Sequence, residues 1–387
     1  MKIAFVHNTF PAGGAERITL DIARYLASQG GYEVFVYASR KSDDLWNDGI
    51  DAVLTLRMIP SPAVPSKRAA FVEELIVKDQ VDVLVQVSKS LPDIDGIRKR
   101  TGCKTVLACH GEPFWQRYAI MARRQKGMFR KLMWHLYNKR RFADGTLAMN
   151  MAKERSWADY LNNDAYTVLC EAYKRETASV FGIDPDDSHI YAIENPEAAV
   201  QDISLEKEKM ILFCGRMENW SKRVDRLLRI WSRVQGRMTD WRLVLVGDGP
   251  DGKMLRRMAS DMNLERVSFE GRRSDVASYY RRASAVCLTS ETEGWPLALT
   301  EAQAQGCICV AFSATSGIED ILGSDGRCGY LVPPFDEAAY ADVLLQIASL
   351  PEDEEKDMRK ASISRRLRYT PEIIAGKWKE LFDRLAK

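Results

Sequence analysis

Histidine is scarce in this chain. The four present, His7, His110, His135 and His189, are not paired at ligand spacing, so a dedicated metal site is not expected. Long apolar runs are missing as well: none reaches the ~18 residues needed to span a bilayer. The start, MKIAFVHNTF, reads as a short strand with no long apolar core ahead of a cleavage site, so no signal peptide is expected. Neither sign of charge is in excess. Lys+Arg 56 against Asp+Glu 54 leaves +2, which gives no global argument for nucleic acid or for a membrane. The eight cysteines are scattered, and several fall inside apolar runs such as ILFCGR and AVCLTS. Buried free thiols in a reducing compartment explain them best. Cys307 and Cys309 point to the same face of a strand-like run, and with no second pair at zinc spacing they read as core. A cytoplasmic protein is the expectation.

What is present is alternation. KIAFVH, YEVFVYAS, VDVLVQVS and KTVLACH read as buried parallel strands in the first half, and KMILFCGR, WRLVLVGDG, RVSFEG, SAVCLTS, CICVAFS and GYLVPP in the second. Between them lie helical stretches, among them AERITLDIARYLASQG, VDRLLRIWSRVQ, KMLRRMASDMNL, DVASYYRRAS and EAAYADVLLQIASL. Strand–helix alternation predicts parallel sheets with right-handed crossovers. There are too many strands for one compact open sheet, and 387 residues exceed the usual limit of a single core. The expectation is an α/β chain of two doubly wound, Rossmann-like domains facing across a cleft. Their bounds fall at 1–194 and 195–370, split in the polar stretch after Asn195-Pro196. A Thr-Pro start then opens an amphipathic helix over 371–387, expected to pack back toward the first domain.

Three motifs fall just after strands, where open α/β sheets bind ligands. PAGGAER (11–17) places Gly13 and Gly14 in a strand-to-helix turn, where backbone can approach a ligand. It is not G-x-G-x-x-G, and a plain turn explains it equally well by itself. CGRMENWSKRVDRLL (214–228) carries Arg216 and Lys222 on a loop ahead of a helix, a suitable pair for a diphosphate or simply solvated charge. SETEGWPLALTEAQAQG (290–306) holds Glu293 and Glu301. On one continuous helix they would lie ~12 Å apart along the axis, too far for a glycosidase pair at about 5–9.5 Å. With Pro296 as first helical residue, Glu293 sits in the preceding loop and Glu301 in the second turn. The two then flank a helix terminus that attracts anions. An anion flanked by hydroxyls describes a sugar nucleotide, whereas acids at a helix start can also serve the dipole alone.

As a set, these residues resemble the retaining glycosyltransferases of family 4, which have the GT-B fold. The resemblance rests on GRMENWSKRVDRLL, on the run from LVGDGPDG to LTEAQAQGC, on GYLVPPFD, and on the Glu293/Glu301 pair as an E-x7-E motif. GGAER matches that family's first-domain loop. It implies that Arg216 and Lys222 hold the donor diphosphate, that Glu301 accepts from the ribose, and that Glu293 accepts from the transferred sugar. Gly294, Trp295, Pro296 and Leu297 would lie against sugar and phosphate through their backbone, Gly271 and Arg272 would border the base, and Gly13 and Gly14 would approach from the first domain. His110, in LACHGEPFW, matches the histidine near the reacting sugar. Departures stand at Trp295-Pro296, where many members carry Phe-Gly, and at Lys-Arg-Val after Ser221, where Lys-Gly-Val is usual. The implied reaction is metal-independent transfer of a hexose or N-acetylhexosamine, with retention, from a UDP sugar. The nucleotide sugar is a substrate and no cofactor is implied.

The acceptor side contributes one further segment. Residues 117–142 hold nine Lys/Arg and no acid, interleaved with Tyr118, Phe129, Trp134 and Tyr137. Such a composition suits an anionic membrane surface and hence a lipid-linked glycan acceptor at the inner face of the plasma membrane. No nucleic-acid partner is expected. A sugar-nucleotide epimerase of the same architecture, or a non-catalytic sugar-nucleotide-binding protein, are the alternatives.

Overall fold

Runs of β-branched and aliphatic residues become two sheets in which every recorded strand pair is parallel. The computed structural model describes the chain except residues 12, 44–45, 61–64, 122–144, 187, 198–199 and 201. By internal contact it divides into a first unit, Met1–Glu194 with Ala375–Lys387, and a second, Asn195–Ile374.

The first unit carries seven strands among its described residues: β1 (Lys2–Phe10), β2 (Glu33–Lys41), β3 (Thr55–Met58), β4 (Val83–Val87), β5 (Lys104–Ala108), β6 (Ala165–Val168) and β7 (Ile190–Ala192). Their order is β3-β2-β1-β4-β5-β6-β7. β1 is central, with Ile3 opposite Val34 on one side and Val83 on the other. The helix Gly14–Gln29 follows β1 and buries Ile18, Ile22 and Leu26, four residues apart on one stripe.

In the second unit, β8 (Glu208–Cys214), β9 (Arg242–Val246), β10 (Val267–Gly271), β11 (Ala283–Leu288), β12 (Ile308–Phe312) and β13 (Gly329–Val332) take the order β10-β9-β8-β11-β12-β13. β11 and β12 are buried along their whole length, as expected of strands covered on both faces. Trp231 and Leu227 of the helix Val224–Val234 pack with Phe213, Leu245 and Val310 of the strands and Tyr340 and Leu344 of the helix Glu337–Ala348.

Each sheet has one place where the strand order reverses, β1/β4 in the first and β8/β11 in the second. At such a reversal the crossovers leave in opposite directions and open a crevice beyond the strands' carboxyl ends. Two four-residue strands, β3 and β6, were not among the runs legible as strands. β3 is a partly exposed edge strand and β6 a mixed Ala-Tyr-Thr-Val segment; neither is long enough to display a period.

The last helix, Pro371–Leu385, supplies Phe382 to the first unit. That ring is fully buried and meets Phe5 edge-on at 6.4 Å between centroids. Phe382→Ala is expected to cost about 3–5 kcal/mol, measured as a lower denaturant midpoint.

Candidate functional site

In the second unit, the loop leaving β8 is brought against the turn after β9 by backbone pairing. The N–H of Gly215 donates to the Val246 carbonyl at 3.0 Å, that of Met217 to Asp248 at 3.0 Å, and that of Asp251 back to Met217 at 3.1 Å. The approach is close enough to require glycine. Gly247 has φ +130°, and a Cβ there would stand 1.9 Å from the Gly215 carbonyl oxygen; a Cβ at Gly249 would stand 2.4 Å from that of Met217. The loop's crest is fixed by side chains: Asp251 accepts from the Asn219 N–H at 2.7 Å, and Asn219 accepts from that of Asp225 at 3.2 Å.

Across the strand-order reversal, the residues following β11 are joined to the same loop. The Glu291 N–H donates to the Ser221 carbonyl at 2.6 Å, and the Thr289 hydroxyl to that of Arg223 at 3.0 Å. Beneath this seam runs a chain of charge. Glu291 accepts from Arg223 and Arg226 at 3.1 and 2.6 Å, Asp225 from Arg223 and Arg229, and Arg229 reaches Glu337 at 2.6 Å. The Arg226 guanidinium also lies over Phe335, 4.0 Å from its centroid. Burial pushes the Asp225 carboxyl up, but hydrogen bonds from Arg223 and Arg229 outweigh it and hold the group below its ordinary 3.8.

This seam carries the sequence-derived candidates. Glu293 is buried, and its Oε1 accepts from Lys222 Nζ and from the Ser290 hydroxyl, both at 2.6 Å. Glu301 lies in the second turn of the helix Leu297–Ala304. Its charge adds to burial in raising the Tyr280 hydroxyl well above its usual value. The Cys214 thiol is pushed up to about 11, first by burial and then by Glu301, with Lys222 acting in the opposite sense. Lys222 and Glu293 therefore pair across the β8/β11 reversal, and Glu301 stands in the helix that follows. Arg216, on the same loop, has a side chain 66% exposed, and its nearest recorded acid is Glu218 at 3.9 Å. Gly271 takes φ +69° and its carbonyl receives the Gly247 N–H at 2.8 Å, while Arg272 is exposed.

One expectation is corrected at the glutamate stretch. Pro296 is the N-cap rather than the first helical residue. Its ψ of 98° is extended, its carbonyl accepts from the Leu299 N–H at 2.9 Å, and the helix starts at Leu297. Proline's fixed φ suits a cap as well as a first turn. The Trp295 indole is 5% exposed and packs edge-on against Tyr369 at 5.0 Å. Its ring is taken up by packing, while the neighbouring Gly294 and Leu297 are half-buried.

In the first unit, Gly13 is the N-cap of the helix Gly14–Gln29, one residue earlier than the expected start at Ala15. His110 follows β5, partly buried, next to Cys109, whose N–H donates to the Thr167 carbonyl at 3.0 Å. Of the basic aromatic segment 117–142, only residues 117–121 fall within the described part, where Arg117 pairs with the buried Glu112.

Sequence reasoning missed Ser290, Glu291 and Asp225. Ser290 and Glu291 stand in the very stretch that drew attention to Glu293. Their role depends on contacts 65 or more residues away in the chain for Glu291, and on the side chain's direction for Ser290. Asp225 looks like an ordinary acid in a helix's first turn.

Comparison with known proteins agrees with this architecture. Solved structures of GT-B glycosyltransferases superpose on nearly the whole chain. The lipopolysaccharide outer core galactosyltransferase WaaB in its apo form matches with a TM-score of 0.71 at 18% identity, over 99% of this chain and 100% of that one. Anabaena HepE in complex with UDP matches with 0.71 at 16%, over the same shares. The fold is therefore GT-B. At the level of sequence, residues 12–195 match the model for Glycosyltransferase Family 4 and residues 208–349 that for Glycosyl transferases group 1, and the chain belongs to this glycosyltransferase family. An uncharacterized glycosyltransferase of Haemophilus influenzae is 26% identical over 82% of each chain. The lipopolysaccharide 1,6-galactosyltransferase of Escherichia coli is 30% identical over 42% of this chain and 43% of that one.

Because the folded Asp225 carboxyl lies below its unfolded value, the stability it contributes is present above that value and is lost as pH falls through the folded one. Asp225→Asn should therefore narrow its stability deficit against the parent as pH drops from about 6 to about 3. Denaturant midpoints at each pH check this.

Proposed function

We propose that the chain transfers a hexose or N-acetylhexosamine from a nucleotide sugar, with UDP as the nucleotide, to a lipid-linked glycan in surface polysaccharide synthesis. The observation that carries this reading is the pairing of Lys222 with Glu293 at the β8/β11 reversal, with Glu301 in the helix that follows and Arg216 exposed on the Lys222 loop. Lys222 and Arg216 take the diphosphate, Glu301 accepts from the ribose, and Glu293 from the sugar being moved. An incoming diphosphate competes with Glu293 for the Lys222 ammonium, and the sugar's hydroxyls replace the donor Glu293 gives up. The HepE structures described as complexes with UDP and UDP-glucose support the choice of nucleotide. The galactosyltransferase relative and a Campylobacter jejuni relative named for an undecaprenol-linked glycan support the acceptor class.

The reaction proceeds with retention. The bond from the anomeric carbon to the phosphate oxygen breaks as the acceptor oxygen bonds to the same face, and the departing phosphate oxygen takes the acceptor's proton. No protein base is required by this scheme. Stabilising the leaving group's charge is then the dominant catalytic term, supplied by Lys222 and Arg216 without a metal ion. His110 is assigned a hydrogen bond to the reacting sugar, and Gly13 and Gly14 a backbone approach to the diphosphate. Leu297 and Gly271 with Arg272 border the diphosphate and base through main chain.

A thermal-shift screen of nucleotide sugars identifies the donor. Glu301→Ala is then expected to weaken its binding at least ~10-fold, about 1.4 kcal/mol, in a calorimetric titration. Unchanged binding and unchanged donor hydrolysis would sink the assignment. The enzyme is proposed to work at the cytoplasmic face of the membrane, through the basic residues of 117–142. Flotation with liposomes should show binding that needs anionic lipid and fades with salt; indifference to lipid charge removes that part.

A further inference from the structure

The first unit has its own strand-order reversal, and there a 440 Å³ cavity opens at the carboxyl ends of β1 and β4. Its wall includes His7 and Asn8 at the end of β1, Ser88 and Lys89 after β4, Glu16 of the helix Gly14–Gln29, and Arg68 of the helix Pro65–Asp79. None of these residues is part of the donor site in the second unit.

Arg68 is the informative side chain. Its guanidinium donates to the Asn8 side-chain oxygen and, at 2.9 Å, to the His7 carbonyl, while its Nε–H is enclosed with no partner among the described residues. Both acceptors are neutral. Burial alone pushes the group's pKa down, the sign of a cation removed from water without a counter-charge. The one carboxylate among the lining residues, Glu16, is committed elsewhere: it faces His7 Nδ1 at 3.6 Å, and His7 Nε2 is 2.9 Å from the Thr19 hydroxyl. Burial raises the Glu16 carboxyl, but its hydrogen bond with His7 prevails and keeps it ionised below the ordinary range. Lys89 adds an exposed ammonium with no acidic partner among the described residues. It stands next to Ser88, held at φ +62° with its N–H on the Ala108 carbonyl at 2.8 Å. A non-glycine residue in that region is strained and persists where the surroundings impose it.

We propose that this cavity seats an anionic substituent of the acceptor sugar, a phosphate or a carboxylate, between Arg68 and Lys89. A guanidinium fork and a mobile ammonium are complementary ways to hold one oxyanion. The inference rests on the transferase reading insofar as it takes the first unit's ligand to be a sugar acceptor.

The test is equilibrium binding of three probes to the full chain by ligand-observed NMR: methyl glucoside, methyl glucuronide and glucose 6-phosphate. At least one charged probe is expected to bind about tenfold tighter than the neutral one, and whichever is tighter tells carboxylate from phosphate. Arg68→Gln and Lys89→Gln should each erode that preference severalfold, with Arg68→Lys intermediate because it keeps charge but not the fork. Lys89 is exposed, so its variant reports even if replacing Arg68 unfolds the chain. Equal binding of all three probes, no binding of any, or a preference that survives Lys89→Gln and Arg68→Lys would overturn the proposal. UDP titrated into the parent chain separates the two readings. UDP binding without a preference for charged sugars leaves the donor assignment standing and removes this one, and the converse result does the reverse.

Discussion

The arrangement of each unit depends on one topological constraint: a parallel sheet whose strand order reverses must part its crossovers at the reversal. At β8/β11 that parting places two loops with no local reason to meet, 215–223 and 289–293, on either side of the same crevice. They are then tied by the backbone hydrogen bond from Glu291 to Ser221 and by Arg223, which donates to both Glu291 and Asp225. Many polar groups of the two loops are spent on one another, and such cross-bracing is what a site built from loops needs in order to hold a charge in place.

Within that frame, glycine and proline have positional meanings. Gly247 and Gly249 let two turns share space that a methyl group would fill with a carbonyl oxygen. Pro296 sets the direction in which the chain enters the helix of Glu301 while leaving that helix's first N–H groups free of a side-chain cap. The first unit repeats the scheme with different chemistry. Its crevice is lined by a carboxylate turned to histidine and by a guanidinium resting on neutral oxygens.

Much of this was legible in the sequence. Long aliphatic strands such as those of β8 and β12 announce themselves because burial on both faces leaves no room for alternation. The candidates Lys222, Glu293 and Glu301 could be found because chemistry-bearing residues gather where strands end. What the sequence withheld is pairing. Nothing in SETEGWPL says that Ser290 and Lys222 share one oxygen of Glu293, nor that Arg68 lies beside Asn8 sixty residues before it. Short strands such as β3 and β6 acquire their conformation from neighbours rather than from propensity, and the Trp295 indole owes its burial to Tyr369, far along the chain.

The pairing of Lys222 with Glu293 has a consequence for discrimination among ligands. A buried carboxylate that loses a charged donor is left under-satisfied, at a cost in free energy. Sulfate, an oxyanion with no proton to donate, could win the ammonium but has nothing to return to the carboxylate. A molecule carrying both an anion and, a few ångströms away, a hydroxyl repays both partners at once. In the proposed donor site the pair would thereby be a filter, each half screening for the chemistry the other cannot recognise.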